Sequence, residues 1–444
     1  MRFFISVCIS ILVIFSIVHY AGAEILTLKQ AVNMALRDNP DLKAYTWSIY
    51  SQKNNANAEK GRYYPRFNIE ERFLRTDNPT FGFMSKLNQE RFSQEDFLIN
   101  RLNNPDDISD FQTLITVEQP LFVPQIHIGF GMAHKELKAK EAEFQSKQEG
   151  IALDVVKMFL RVRTAREHVH AAQKTLEDAL EHKRLASSRF DAGAAVYYDK
   201  LRTDVAEKNA EALLASAEAD LEVARRALGM VLGKTEPVYI TGDTIVIPLS
   251  DLNSCLAASL NRKDIKAQMM RYENAKAEVK MQKSDFLPEI GMRGSYQMND
   301  HESPFSPDGE SYMIMGFLKW NLFDASKYSR IKKAKADEHV VREHLTALKN
   351  RVNFSVHDAY IRVREKEQKL ILSRVVLKEA EEAIRLVRLR YENSLASIVD
   401  LLDTQVMLNN ARAGIVSAES DYTGSIADLH YQSGTLLNTL NTLQ

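Results

Sequence analysis

A mainly α-helical chain that also carries four membrane-type β-strands is the fold class the sequence predicts, on three observations. Blocks of sequence recur in order: RYENSLASIVDLLDTQVMLNNARA at 390–413 restates RFDAGAAVYYDKLRTDVAEKNAEA at 189–212. No proline lies between Pro124 and Pro237 or after Phe323, and apolar residues there recur at steps of three and four. Four short segments alternate apolar and polar residues with period two.

In chain order, the first element is a targeting segment. Arg2 supplies a positive start, Phe3 to Val18 is an apolar run, and Ala21-Gly22-Ala23 is a small-residue cleavage site, so residues 1–23 read as a signal peptide with the mature chain starting at Glu24. An uncleaved membrane anchor is the alternative. Cys8 leaves with the signal, which leaves Cys255 as a lone small core residue in an exported chain. No cysteine follows the cleavage site to carry a lipid anchor.

The first structural repeat, 24–232, opens with a helical pattern over 27–60, where Leu28, Val32, Ala35 and Leu36 share a face. Its partner covers 250–286, with Ser250 as the expected N-cap, and prolines 65 and 288 close the two helices. Strands are expected at 64–75 and 111–121, then at 288–298 and 311–321. In PEIGMRGSYQMN, Ile290, Met292, Tyr296 and Met298 oppose Glu289, Arg293, Ser295, Gln297 and Asn299. In RFNIEERF, Phe67, Ile69 and Phe73 oppose Arg66, Asn68, Glu70 and Arg72, and Glu71 breaks the phase. These lengths match the roughly 9–11 residues that cross an outer membrane. A half-buried sheet of a soluble domain gives the same alternation, and the strands alone favour it.

Helical hairpins follow, over 124–232 and 324–432, joined by an equatorial linker at 233–249; the second repeat runs 250–444 and ends in a C-terminal tail. Val155, Met158, Val162, Ala165, Val169, Ala172, Leu176 and Ala179 form a coiled-coil seam. The hairpin turns are expected near Gly193 and Ser394. An outgoing arm over 126–190 spans about 95–100 Å and the return arm about half that, so the short opening helix of the next unit fills the difference. Late blocks in the repeat are offset by 201 (390 − 189) and early ones by 223 (288 − 65), so 22 extra residues fall between Pro65 and Val117. They belong to the segment 76–110, an expected extracellular loop in which Phe81, Phe83, Phe92 and Phe97 fold the loop onto itself, with packing as a lid the alternative.

A net charge of −1 with 26% charged residues argues against a nucleic-acid surface. No catalytic constellation is present: GFGMAH at 129–134 lacks the third glycine of a dinucleotide fingerprint, His168 and His170 point to different sides of a helix, and there is no HExxH. Neither an enzyme nor a cofactor is expected. Met292, Met298, Met313 and Met315 read as filler of apolar barrel surface rather than soft-metal ligands.

If the strands lie in a membrane, several chains must share one barrel, because four strands cannot close one and open edges are not tolerated in lipid. Two copies give eight strands and a filled interior; three give twelve and a lumen. LTLKQAVNMALRDNPDLKA, NRKDIKA, the strand-opening prolines, VEQPLF, NLFD and the block at 390–413, in this order and duplicated, resemble the TolC family of outer-membrane efflux and secretion channels. The resemblance implies a homotrimer in the outer-membrane lipid, with a twelve-stranded β-barrel continuous with a helical α-barrel in the periplasm. It implies a passive exit duct of a tripartite efflux pump or type I secretion system. Its partners would be a periplasmic adaptor (membrane fusion protein) and an inner-membrane RND or ABC-type pump. A periplasmic coiled-coil scaffold is the rival reading.

The resemblance also implies a periplasmic gate. Asp400 and Asp403 match aspartates that ring the constriction, and Tyr391 matches a tyrosine of the closed-state network. Six carboxylates around one axis would attract cations and raise some aspartate pKa values. The family's arginine and glycine are replaced here by Ala396 and Ser394. Asp199 and Arg202 are the first-repeat counterparts of Asp400 and Asp403, and an Arg202–Asp403 pair between tip helices is expected to substitute for the lost arginine. The adaptor is expected to meet the tips at Gly193 and Ser394.

Overall fold

In a computed structural model, residues 25–242 and 245–442 are described. The signal-peptide reading, Cys8 and Glu24 lie outside them. The chain divides into two compact units. One takes in residues up to Thr46, Phe144–Lys263 and Lys349 onward; the other takes in Trp47–Glu143 and Asp264–Leu348.

The first unit is helical, with a main hydrophobic core and smaller clusters along the hairpins. Strand β1 (Ile25–Leu26) pairs in parallel with β4 (Tyr239–Ile240) from the linker. Helix α1 (Leu28–Asp38) starts in a capping box: Gln30 N–H donates to Thr27 Oγ1 at 3.2 Å, and Thr27 N–H donates to Gln30 Oε1 at 2.9 Å. The single helix expected over 27–60 is broken at Asn39, and α2 (Pro40–Gly61) restarts at Pro40, whose missing N–H is harmless only in a first turn. Asn39 bridges the break, accepting from Asp41 N–H at 2.9 Å and donating to the carbonyl of Val231 at 2.9 Å.

The hairpin helices are α5 (Pro124–Asp191), α6 (Tyr197–Val231), α9 (Ala325–Glu392) and α10 (Ile398–Ser433). Helices α5 and α9 are both 68 residues long and are related by the same offset of 201 (325 − 124). Their apolar faces meet the linker and the chain end in a core that includes Val155, Val156, Phe159, Val162, Leu228 and Leu429. Cys255 lies in that core on α7 (Leu252–Ser259), as a small buried residue. Asp251, not Ser250, caps α7: its Oδ1 accepts from Ser254 N–H at 3.0 Å. The C-terminal tail forms α11 (Leu436–Thr442), whose Leu437 N–H donates to Glu149 at 3.0 Å.

The second unit holds a four-stranded antiparallel sheet in the order β2 (Arg66–Thr76), β3 (Ile108–Phe122), β5 (Glu289–Asp300), β6 (Ser311–Lys319). Cross-strand partners share a face, so the register assigns each side chain. One face carries Phe67, Ile69, Phe73, Phe111, Ile115, Val117, Met292, Tyr296, Met298, Tyr312, Ile314 and Leu318. The other carries Arg66, Asn68, Glu70, Arg72, Asp110, Gln112, Thr116, Glu118, Arg293, Ser295, Gln297 and Asn299. Glu71, which breaks the phase, sits on the apolar face and accepts from the Thr113 hydroxyl at 2.5 Å. Met313 and Met315 correct the sequence reading, because they pair with Ser295 and Arg293 and so stand on the polar face. Only Met292 and Met298 fill apolar surface.

The excess residues between β2 and β3 fold into α3 (Pro79–Asn88), a 3-10 turn at Gln94–Phe97 and α4 (Ile99–Asn103). Phe83, Phe92 and Phe97 stack edge to face at 4.8 and 5.0 Å, folding the loop onto itself, while Phe81 stays exposed. Helix α8 (Lys263–Ser284) completes the unit, and its Arg271 donates to Glu143 at 2.5 Å on α5.

Candidate functional site

The repeated block that opens the sequence reading forms two neighbouring tips in the first unit. Helix α5 ends at Asp191 and α6 begins at Tyr197; α9 ends at Glu392 and α10 begins at Ile398. Both turns need a left-handed residue. The first uses Gly193 at φ 73°, where no side chain is strained, and the second uses Ser394 at φ 61°. Both sites stand exposed.

Tyr391 is the buried centre of the site. It is 3% exposed and packs with Ile398 and Leu401, against Leu185 of the first hairpin. Its hydroxyl finds no hydrogen-bond partner among the described residues. Burial pushes that hydroxyl above the usual tyrosine range; the charge of Arg189 opposes the shift and that of Asp199 adds to it.

Arg189, which sequence reasoning missed, ties the tips together. Its guanidinium lies 4.7 Å from the centre of the Tyr391 ring, Nη1 donates to the Tyr391 carbonyl, and Nη2 donates to Ser394 Oγ at 2.9 Å. The signal was available: Arg189 is the repeat counterpart of Arg390. Arg390 stays in its own turn, donating to the Leu395 carbonyl at 3.4 Å.

Within one protomer the two aspartates have different surroundings. Asp400 is the third residue of a capping box, accepting through Oδ2 from Ser397 N–H at 2.9 Å and from Ser397 Oγ at 2.8 Å. Within one protomer, the Ser397 N–H and hydroxyl hold its carboxyl below the usual range. Asp403 is exposed, and among the described residues it forms no ion pair within the protomer. Arg202 does not reach it, because its guanidinium lies over the ring of Tyr198 at 5.3 Å. The Arg202–Asp403 pair is therefore absent within one chain, and Arg189 makes the bridge between hairpins. Asp199 is half-buried, and its charge acts on the Tyr391 hydroxyl.

Behind the tips a second polar layer joins α5 to α10. Gln405 donates to Asp178 at 3.0 Å and meets His182 Nε2 at 3.2 Å, while Arg412 donates to Asp178 at 3.2 Å. His182 is 3% exposed and its Nδ1 lacks a partner among the described residues. Burial holds its imidazole below the ordinary value of 6.5. Two charged contacts border this layer, Arg388 to Glu181 at 3.5 Å and Lys183 to Asp204 at 2.9 Å.

No helix among the described residues is long and apolar enough to cross a membrane, and no cluster of histidine, cysteine and carboxylate side chains there is arranged to hold a metal. The arrangement is one of packing, straps and caps.

A family model described as outer membrane efflux protein matches residues 31–234 and 257–435. The cobalt-zinc-cadmium resistance protein CzcC of Cupriavidus metallidurans is 24% identical over 288 residues, covering 63% of this chain and 66% of that protein. The chain thus spans just under two thirds of that relative's length. Outer membrane protein TolC of Vibrio cholerae is 24% identical over 369 residues, covering 76% and 80%. The solved structure of CusC, described for its transmembrane channel formation, superposes with a TM-score of 0.79 at 15% identity over 92% of each chain.

Proposed function

The chain belongs to the outer membrane efflux protein family, and from that premise we propose that it is the outer-membrane exit duct of a tripartite efflux or type I secretion assembly. It sits in the outer membrane and extends into the periplasm. Three copies share one barrel. Each sheet has an unpaired edge on β2 and another on β6, which neighbouring copies would pair. The same assembly would cover apolar side chains that one protomer leaves exposed on α9, among them Phe354, Ile361 and Leu372. The apolar sheet face meets lipid and the polar face lines the duct. Exposed Tyr64, Phe122, Trp320 and Phe323, near the strand ends that join the helices, suit the aromatic girdle of an outer-membrane barrel.

The duct conducts passively, and an inner-membrane RND or ABC-type pump, reached through a periplasmic adaptor, supplies energy and selects cargo. The adaptor meets the exposed turns at Gly193 and Ser394. Tyr391, Asp199, Arg202, Asp400 and Asp403 belong to a periplasmic gate in which the tips stay closed while the two hairpins hold together. Asp400 starts the inner helix of the second tip, and Asp403, one turn on and unpaired, offers its charge to the pore axis. The observation that carries this reading is the Arg189 bridge, a single side chain fastening the first hairpin to the Tyr391–Ser394 turn of the second.

Single-channel conductance in planar bilayers tests it, with the unchanged protein beside Arg189→Ala and Asp400→Ala/Asp403→Ala. A small cation-selective conductance that rises in Arg189→Ala, and loses selectivity in the double aspartate variant, is the expected result. Conductance identical in all three removes the gate; a folded, reconstituted oligomer that never conducts removes the duct and restores the scaffold.

A further inference from the structure

We infer that the insertion between β2 and β3 is an inward-folded lid that constricts the outer mouth of the duct; this rests on the reading of the polar sheet face as the duct wall. The first observation is where α3 is fastened. Asp110 and Asn299 both stand on the polar face, and Asn299 Nδ2 donates to Asp110 at 3.0 Å. Ser85 Oγ donates to the same carboxylate at 3.1 Å, and Gln89 Nε2 donates to it at 2.9 Å and to the Ser109 carbonyl at 2.9 Å. Asp110, Ser85, Gln89 and Asn299 are all buried. A buried carboxylate saturated by neutral donors is a costly arrangement to undo.

The second observation is close packing over the same face. Ile108, two residues before Asp110 and on its side of the strand, is 6% exposed, and a Cβ at Gly82 would stand 3.0 Å from its Cδ1. At the other end of α3, the loop joining β5 to β6 runs so close that a Cβ at Gly309 would fall 1.9 Å from the Asn88 carbonyl oxygen. An ion pair between Lys86 and Asp96 at 2.7 Å secures α3 to the returning chain. That lysine, with the Ser93 N–H and hydroxyl, holds the Asp96 carboxyl down to about 2.

Residues 82, 85 and 89 thus seat α3 on the wall, and the side turned away from it carries Phe81, Met84 and Leu87, all exposed within the protomer. The loop lies at the sheet end opposite the helices, which makes it the outer end of the duct. Three such helices would present an apolar ring to the passage, a constriction that resists wetting and hydrated ions. Release of the Asp110 network would let the helix swing outward with the sheet left intact.

Labelling of Thr116→Cys in intact cells tests the lid. Position 116 lies on the polar face between Asn68 and Ser295, six residues beyond Asp110 toward the helices. A polyethylene-glycol maleimide too large for general porins reaches it only from outside. The T116C thiol should react slowly in the otherwise unchanged chain. With Ser85→Ala/Gln89→Ala added, it should react about tenfold faster, as loss of one to three net hydrogen bonds shifts a two-state population. A chain in which residues 79–104 are replaced by a short Gly/Ser turn should react fastest, and it repeats the comparison independently of how the double variant folds. Equal, rapid reaction in all three overturns the lid. If the thiol of the lidless chain stays unreactive in cells yet reacts fully once denatured, the polar face does not line an open duct, and it is the duct reading that falls.

Discussion

The two tips began as one sequence and do opposite things. At the first, Gly193 takes the left-handed turn without strain, Val196 starts α6 with no side-chain cap, and Arg189 leaves its own hairpin for the neighbour. At the second, Ser394 takes the same conformation with a side chain, Ser397 and Asp400 cap α10 reciprocally, and Arg390 stays home. The second tip is locally self-sufficient and receives; the first is loosely made and gives. Duplicated residues thus acquire different duties because each copy meets different neighbours, so a contact seen in one repeat is poor evidence for its counterpart in the other.

That asymmetry sets an order of effects. Tyr391→Ala should cost about 3 kcal/mol of tip packing, because it empties a buried aromatic site. Tyr391→Phe should cost almost nothing, since the buried hydroxyl has no partner to lose; denaturant midpoints of the reconstituted protein measure both. Arg189→Ala should cost about 2 kcal/mol through lost charged hydrogen bonds and ring contact, whereas Arg390→Ala should leave conductance unchanged; equal effects of the two would erase the asymmetry.

Smaller effects sharpen it. Ser397→Ala should weaken the second tip by about 1 kcal/mol, and Val196→Ser should strengthen the first by a similar amount, both read as amide exchange in the first turns of α10 and α6. Ser394→Gly should shift stability by less than about 0.5 kcal/mol, because relief of the left-handed serine offsets the lost Arg189 hydrogen bond.

Acid should act on the layer behind the tips. The folded His182 holds its proton less well than an exposed histidine, so its contribution is complete above its ordinary value of 6.5 and is lost as pH falls through the lower folded value. Asp178, Glu181 and Arg388 are the charges that act on it. Protection from amide exchange along 178–186, taken relative to the intrinsic rate at each pH, should therefore fall between neutral and mildly acid pH, and His182→Gln should flatten the dependence. Asp400, whose pKa is lowered, loses its contribution only as pH falls through a still lower range.

The architecture was legible because its signals are periodic: proline-free seams for the helices, alternation for the sheet, and two matched blocks for the tips. The break at Asn39–Pro40 was overrun because the apolar pattern continues across it while the capping contacts come from Val231, remote in sequence. Assigning Met313 and Met315 to the apolar surface failed for a related reason, since YMIMGFLKW is apolar on both faces and only the register with β5 separates them. Aspartates 400 and 403 were recognised through resemblance, yet SIVD is also a capping-box spacing, a local use that sequence alone does not rank against a pore-lining one. Arg189 went unseen because the pairing of the repeats compared each residue with its copy rather than with the other copy's neighbours.

The unpaired edges of β2 and β6 carry a consequence for dosage. A protomer with two open edges gains its membrane partners only from other protomers, so in the proposed trimer the number of finished ducts at low supply follows the cube of the chain concentration. Halving expression would then leave about one eighth of the ducts rather than half. A cell bearing one weakened copy of this gene would lose export abruptly, and a chain with a defective edge would spoil assemblies built mostly from sound ones.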